Sequence, residues 1–207
     1  ANDFEKTIDA FTKLQKLDPQ YSTLYPMLAN AYVETNNIDK AIEILKEGLR
    51  HDEQNDELYF LLSQLHLKKG EKELAEQLLQ KSFALNSPTI EEIQFYINFL
   101  KEEQRYEDIA EFILELKDRH DDQDPLLDWE LAEAYENLEE FEKAGQYFAA
   151  SYPYLKENSE FLERYGYFLM EEGETEKAIR CFSKAHAIDE NLHHLEELIT
   201  ELENRLI

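Results

Sequence analysis

The sequence predicts an all-α solenoid built from stacked antiparallel helix pairs. Three observations carry that expectation. The 207-residue chain repeats itself at a spacing of 34 residues, which is the mark of a helical-repeat array. It has only five glycines and five prolines, too few for an all-β chain full of turns. Its hydrophobic content of 43% and aromatic content of 12% are too high for a disordered acidic tail.

The register is fixed by the residue that opens each second helix. Ala41, Ala75, Ile109, Ala144 and Ala178 fall 34, 34, 35 and 34 residues apart. Twelve residues before each stand Ala29, Ser63, Ile97, Ala132 and Gly166, preceded by Leu28, Leu62, Tyr96, Leu131 and Tyr165. Three residues further on come Tyr32, His66, Leu100, Tyr135 and Leu169, and four residues beyond the second-helix anchors come Leu45, Leu79, Ile113, Phe148 and Phe182. Small residues let paired helices approach closely, and the larger apolar ones fill the holes between neighbouring pairs. The pattern resembles the tetratricopeptide repeat (TPR), a 34-residue helix–turn–helix. The resemblance covers nearly the whole chain and implies a right-handed superhelix of helix pairs.

Read in order, residues 1–21 form a partial repeat holding only a second helix, with Thr7 and Phe11 at the anchor positions. Asp18-Pro19 then matches the family's usual repeat ending. Full repeats follow at 22–55 and 56–89. Residues 90–124 are an irregular repeat: Ile97, Ile109 and Leu116 stand where small residues belong, and the next repeat starts one residue late. That bulk predicts a local change of curvature or a division of the array into two halves, with His120-Asp121-Asp122-Gln123-Asp124-Pro125 in the longer connection. Repeats at 125–158 and 159–190 come next. Residues 191–207 supply a capping helix with Leu192, Leu195, Leu198, Ile199 and Leu202 on one face and acid on the other. The expectation is twelve helices in one array.

Charge excludes several functions. The net charge is −26, from 21 basic and 47 acidic residues, the opposite of the basic footprint that nucleic acids require. An anionic membrane surface is disfavoured on the same ground, and no apolar run approaches the length that spans a bilayer. The single cysteine, Cys181, rules out an internal disulfide and fits a reducing, cytoplasmic setting. The chain begins at Ala1 with no signal peptide and no methionine, which reads as a piece of a longer protein. Part of the acidity is structural: Glu5, Asp39, Glu73, Glu107, Glu142 and Glu176 occupy the first turn of each second helix, where a negative charge is stabilised by about 0.3–1 kcal/mol.

No residue set points to a reaction, a cofactor or a metal. Carboxylate pairs are inevitable at this composition, and nothing suggests a closed pocket to raise one pKa. His66 replaces a core tyrosine and reads as a satisfied buried imidazole, while His193 and His194 face different sides of a helix. His120 with its aspartates lacks the glycine and distal glutamate of a calcium loop. Cys181 precedes the core Phe182 with no patterned histidine partner, and no phosphate-cradling glycine loop is present. The expectation is a non-enzymatic protein.

In the TPR family the first helix of each pair lines a concave groove that holds protein or peptide ligands. Carried over by position, the resemblance implies a groove from Asn30, Val33, Phe60, Gln64, Leu67, Gln94, Asn98, Lys101, Trp129, Glu133, Glu136, Glu163, Tyr167 and Met170. Asn30, Gln64 and Asn98 form a ladder of amides at repeat spacing, able to read a peptide backbone, or else serve only as soluble surface. Phe60, Trp129, Tyr167 and Met170 would be apolar anchors, with packing against a neighbouring helix as the alternative for Trp129, whose repeat has Asp128 at the usual bulky position. The family's clamp for C-terminal carboxylates needs lysines that are absent: Pro26 and Glu91 stand instead. Charge is uneven, net −8 over residues 1–104 and −18 over 105–207. Glu130, Glu133, Glu136, Glu160, Glu163 and Glu171 would steer a basic or amphipathic segment to one end, or simply keep the array in solution. The chain also resembles multi-TPR proteins of Gram-positive bacteria, which adds no activity. The second expectation is a structural module that forms a homodimer through the open first repeat. A third is the binding part of a larger regulatory protein.

Overall fold

The computed structural model describes residues 2–120 and 124–206. Asp121, Asp122 and Gln123 of the predicted acidic connection lie outside the described residues. Among those described, twelve α-helices and no strand occur: α1 (Asn2–Leu17), α2 (Leu24–Glu34), α3 (Ile38–His51), α4 (Asp56–Lys68), α5 (Lys72–Leu85), α6 (Ile90–Glu102), α7 (Tyr106–His120), α8 (Pro125–Asn137), α9 (Phe141–Leu155), α10 (Ser159–Glu171), α11 (Thr175–Ile188) and α12 (His194–Arg205). The chain is thus an all-α solenoid of helix pairs, divided into two compact units, Ala1–Tyr96 and Ile97–Ile207. The boundary falls inside α6, in the repeat whose register is irregular.

The turns inside the pairs are built alike. Asn36, Gly70, Gln104, Glu139 and Gly173 all have φ between 57° and 79°. Each sits just past the end of a first helix, and the next N–H reaches back five residues: Asn37 to Tyr32, Glu71 to His66, Arg105 to Leu100, Glu140 to Tyr135 and Glu174 to Leu169, at 2.8–3.0 Å. This is the Schellman closure. Only two of the five turns use glycine, so three non-glycine residues hold a left-handed backbone.

Several helix starts carry side-chain caps, whereas α2, α5, α9, α11 and α12 have none. Asn55, Asp124 and Asn158 accept from backbone N–H groups of Leu58, Leu126 and Phe161, satisfying donors that the first turn leaves free. At α6, Thr89 and Glu92 cap reciprocally: Thr89 N–H donates to Glu92 Oε2 at 2.8 Å, and Glu92 N–H to Thr89 Oγ1 at 3.3 Å, a capping box. The predicted acidic residues Asp39, Glu73, Glu107, Glu142 and Glu176 lie in the first turns of α3, α5, α7, α9 and α11.

Seven residues after each second-helix anchor stand Gly48, Ser82, Leu116, Ser151 and Ala185, all buried. The two serines use the closeness chemically. Ser82 Oγ donates to the carbonyl of Asp56 at 3.0 Å, and Ser151 Oγ to that of Pro125 at 3.0 Å, so each second helix is tied to the start of its own first helix. Ser82 Oγ also lies 2.8 Å from Glu92 Oε1, so its one proton is shared between two acceptors, while Thr89 N–H and Oγ1 donate to the other oxygen of the buried Glu92.

The N-terminal unit is centred on Tyr25, Leu28, Leu45, Leu58 and Leu62, with Ile8 and Phe11 of α1 packed against them. The C-terminal unit is held by aromatic rings, Phe148 lying 4.9 Å from Phe168 and 5.2 Å from Tyr165 between centroids. Burying a side chain of this size contributes about 1.5–3 kcal/mol. Ile97, Ile109 and Leu116, bulky where small residues were expected, are buried. In α12, Leu195 and Leu202 are buried while Glu196, Glu197, Glu201 and Glu203 face solvent, the arrangement a terminal cap needs.

Candidate peptide-binding site

In the N-terminal unit α2 and α4 flank an open cleft of about 370 Å³. Pro26, Ala29, Asn30 and Val33 share one face of α2, and Glu57, Leu61, Gln64 and Leu65 share one face of α4, by the three- and four-residue spacing of a helix; all eight line it, with Leu45 of α3 beside them. Asn30 is exposed and Gln64 and Val33 are half-buried. Neither amide has a hydrogen-bond partner among the described residues. The cleft therefore offers apolar wall with two open amides. Met27, also lining it, is 55% exposed.

The other predicted residues of this unit lie differently. Phe60 is 7% exposed, its ring edge-on to Phe95 at 5.5 Å, so it is committed to the core. Leu67 is half-buried and Gln94 exposed. Asn98, the third amide of the expected ladder, is exposed and belongs to the C-terminal unit.

In the C-terminal unit the first-helix face is a chain of ion pairs. Lys101 Nζ of α6 lies 2.6 Å from Glu130 and 2.8 Å from Glu133 on α8, and Arg164 of α10 reaches back to Glu136 and, at 3.6 Å, to Glu133. Trp129 Nε1 donates to Glu133 at 3.1 Å, and its ring meets Phe161 edge-on at 5.5 Å. Trp129 thus packs on the neighbouring first helix. Asp128, at the position of a bulky residue, pairs with Lys117 at 2.5 Å. Burial opposes the charge on Lys101, but Glu130 and Glu133 outweigh it and hold the ammonium above its ordinary pKa. Burial pushes the Glu136 carboxyl up despite Arg164, and Glu171 and Glu133 push it the same way.

The acid expected to attract a basic ligand is therefore largely engaged. Glu163 pairs with His194 at 2.8 Å, while Glu160 and Glu171 remain exposed. Tyr167 is half-buried, edge-on to Phe182 at 5.0 Å, and Met170 is half-buried. These ladders between first helices were missed in the sequence, because charges about 30 residues apart meet only once the helices are stacked.

His66 is buried as expected but only half satisfied. Its Nδ1 stands 2.5 Å from Glu71 Oε2, while Nε2 has no hydrogen-bond partner among the described residues. The hydrogen bond from His66, aided by Lys69, holds the Glu71 carboxyl below the usual carboxylate range. Burial pushes the Cys181 thiol up to about 11, so it is neutral and a poor nucleophile at neutral pH. Among the described residues no group of three or more His, Cys, Asp or Glu could hold a metal ion, and no helix is long and apolar enough to cross a membrane.

Paired helices at a fixed period, closed by one turn geometry and presenting one helix face per pair, define a protein–protein interaction scaffold of the helical-repeat class. A family profile described as "Tetratricopeptide repeat" matches residues 1–54 and 39–86, and one described as "YpiA-like, C-terminal tetratricopeptide repeats" matches residues 125–189. The chain belongs to the tetratricopeptide-repeat family. It is 34% identical over 197 residues to the TPR repeat-containing protein YpiA of Bacillus subtilis (strain 168), covering 95% of this chain and 46% of that protein. The chain thus spans about half the length of this curated relative. Two solved structures share the fold at 16% identity. YrrB, described as a TPR protein with an unusual peptide-binding site, has a TM-score of 0.69 over 94% of this chain and 99% of its own. MamA from Desulfovibrio magneticus RS-1 has 0.67 over 82% and 96%.

Proposed function

We propose that this chain is a non-catalytic scaffold that holds an extended peptide segment of a partner protein on its first-helix face, seated in the cleft between α2 and α4. The observation that carries the reading is the pairing of apolar wall with the unpartnered amides of Asn30 and Gln64. An apolar side chain of the peptide fills the cleft, and the amides exchange hydrogen bonds with its backbone. Glu57 at the edge favours a basic neighbour in the peptide. The peptide-binding site ascribed to the fold neighbour YrrB supports the class of ligand. Peptides selected from a random library on the immobilised chain should shift backbone amide resonances on α2 and α4. Shifts confined to other helices would remove this surface.

A second reading, self-assembly, is favoured by α1. Phe4 and Leu14 are 38% and 37% exposed and Leu17 is 83% exposed, leaving an apolar edge that a second copy could cover. Sedimentation over a concentration series tests it: dimers abolished by Leu17→Asp support the reading, and a strict monomer ends it.

A further inference from the structure

A second cleft, of about 300 Å³, lies in the C-terminal unit, lined by Ala149 and Tyr152 of α9, Tyr165 and Leu169 of α10, and Lys177, Arg180 and Cys181 of α11. None of the groove residues takes part in it. Its floor is apolar: Leu169 and Cys181 are buried and Tyr165 is half-buried. The rings of Tyr152 and Tyr165 stand 5.9 Å apart, and neither hydroxyl makes a hydrogen bond among the described residues.

The charge of this cleft runs against the rest of the molecule. Acidic residues outnumber basic ones 47 to 21, yet the lining includes two cations and no carboxylate. Of the eleven lysines and arginines in residues 97–207, nine pair with a carboxylate. Arg180 and Lys156 make no ion pair among the described residues. Of these two, Arg180 lines this cleft and Lys156 does not. Lys177, which shares the wall, is held 3.1 Å from Glu174. A guanidinium left free at the edge of an apolar, aromatic cleft suits a planar anion attached to a bulky apolar group.

We propose that the α9–α11 cleft docks an acidic, amphipathic peptide segment of a partner protein, in which a large apolar side chain enters between Tyr152, Tyr165 and Leu169 while a neighbouring carboxylate pairs with Arg180. Charge complementarity selects this occupant, because a neutral segment would leave Arg180 without a counter-charge and a basic one would also bring a cation against Lys177. The neutral thiol of Cys181 adds apolar surface and no reactivity. This docking site is separate from the groove and stands or falls without it.

The test uses the whole chain and a capped hexapeptide with phenylalanine followed by glutamate in a glycine–serine background. Backbone amide shifts should appear at Ala149, Tyr152, Lys177 and Arg180. Replacing the peptide's glutamate by glutamine, or making Arg180→Gln, should each weaken binding about three- to fivefold, the range of an exposed ion pair. The two losses should not add, since they remove one interaction. Arg180 and Ala149 are exposed, so Arg180→Gln and a cleft-filling Ala149→Trp leave the core intact, and Ala149→Trp should abolish the shifts. Lys156→Gln should have no effect. Equal weakening by Lys156→Gln, additive losses, or shifts outside these helices would overturn the proposal.

Discussion

The backbone of Gly166 on α10 approaches the ring of Phe182 on α11 so closely that a Cβ there would stand 2.5 Å from Cε1 and 2.7 Å from Cδ1. Phe182 is fully buried and lies against Tyr167, so its ring has nowhere to move. Gly166→Ala should therefore cost about 1–3 kcal/mol from overpacking, although alanine gains about 1 kcal/mol of helix propensity over glycine. Gly145 is the control: its Cβ would meet Phe168 at 3.5 Å, an ordinary contact, and Gly145→Ala should stabilise by up to about 1 kcal/mol. Urea denaturation of both variants measures the difference in sign.

The Schellman turns carry strain that glycine would remove. Gln104 and Glu139 hold φ of 57° and 60°, a region that costs a residue with a Cβ about 1–2 kcal/mol. Gln104→Gly and Glu139→Gly should each raise stability, by up to about 1 kcal/mol after the added chain entropy of glycine is subtracted. Gly70→Ala should lower it by a similar amount.

The fold was legible because it depends on residue size at fixed intervals. Ala41, Ala75, Ile109, Ala144 and Ala178 open the second helices and are all buried, as are Leu45, Leu79, Ile113, Phe148 and Phe182. The site was less legible, for two physical reasons. First, side-chain direction within a helix face is settled by neighbours: Phe60 turns to Phe95 and Trp129 to Phe161. Second, charge does not reveal its partner in sequence. Glu133 stands 32 residues from Lys101 and 31 from Arg164 yet pairs with both. The left-handed turn residues Gln104 and Glu139 carry no compositional signal either, although their spacing of 34 residues from Gly70 and Gly173 respectively would have marked them.

The raised pKa of Glu136 predicts a pH dependence of definite sign. The folded state binds this proton more readily than the unfolded chain, so the ionised carboxylate works against folding at neutral pH and the cost is relieved as pH falls. Glu136→Gln removes that titration. The stability of the variant relative to the parent should therefore fall as the pH is lowered from neutral towards the ordinary carboxylate range, as the parent gains from protonation, read by urea denaturation at each pH.

Cys181 gives the same sign in a higher pH window. Its thiol stays protonated in the folded chain up to about 11, while an unfolded cysteine ionises near pH 8.5. This contribution is fully present below that value and is lost as pH rises towards about 11. Cys181→Ser should flatten the decline of stability above pH 9. Native Cys181 should also react with iodoacetamide at least about 100-fold more slowly than in 6 M guanidinium at pH 8, given its missing thiolate and its burial.

The central claim is that α2 and α4 hold a peptide through an apolar cleft and the amides of Asn30 and Gln64. Calorimetric titration of a library-selected peptide into the parent chain and into the Asn30→Ala, Gln64→Ala double variant tests it most directly. Two lost hydrogen bonds of about 0.5–1.5 kcal/mol each predict roughly tenfold weaker binding, with unchanged thermal stability because neither side chain has a hydrogen-bond partner among the described residues. Equal affinity for the parent and the double variant would contradict it.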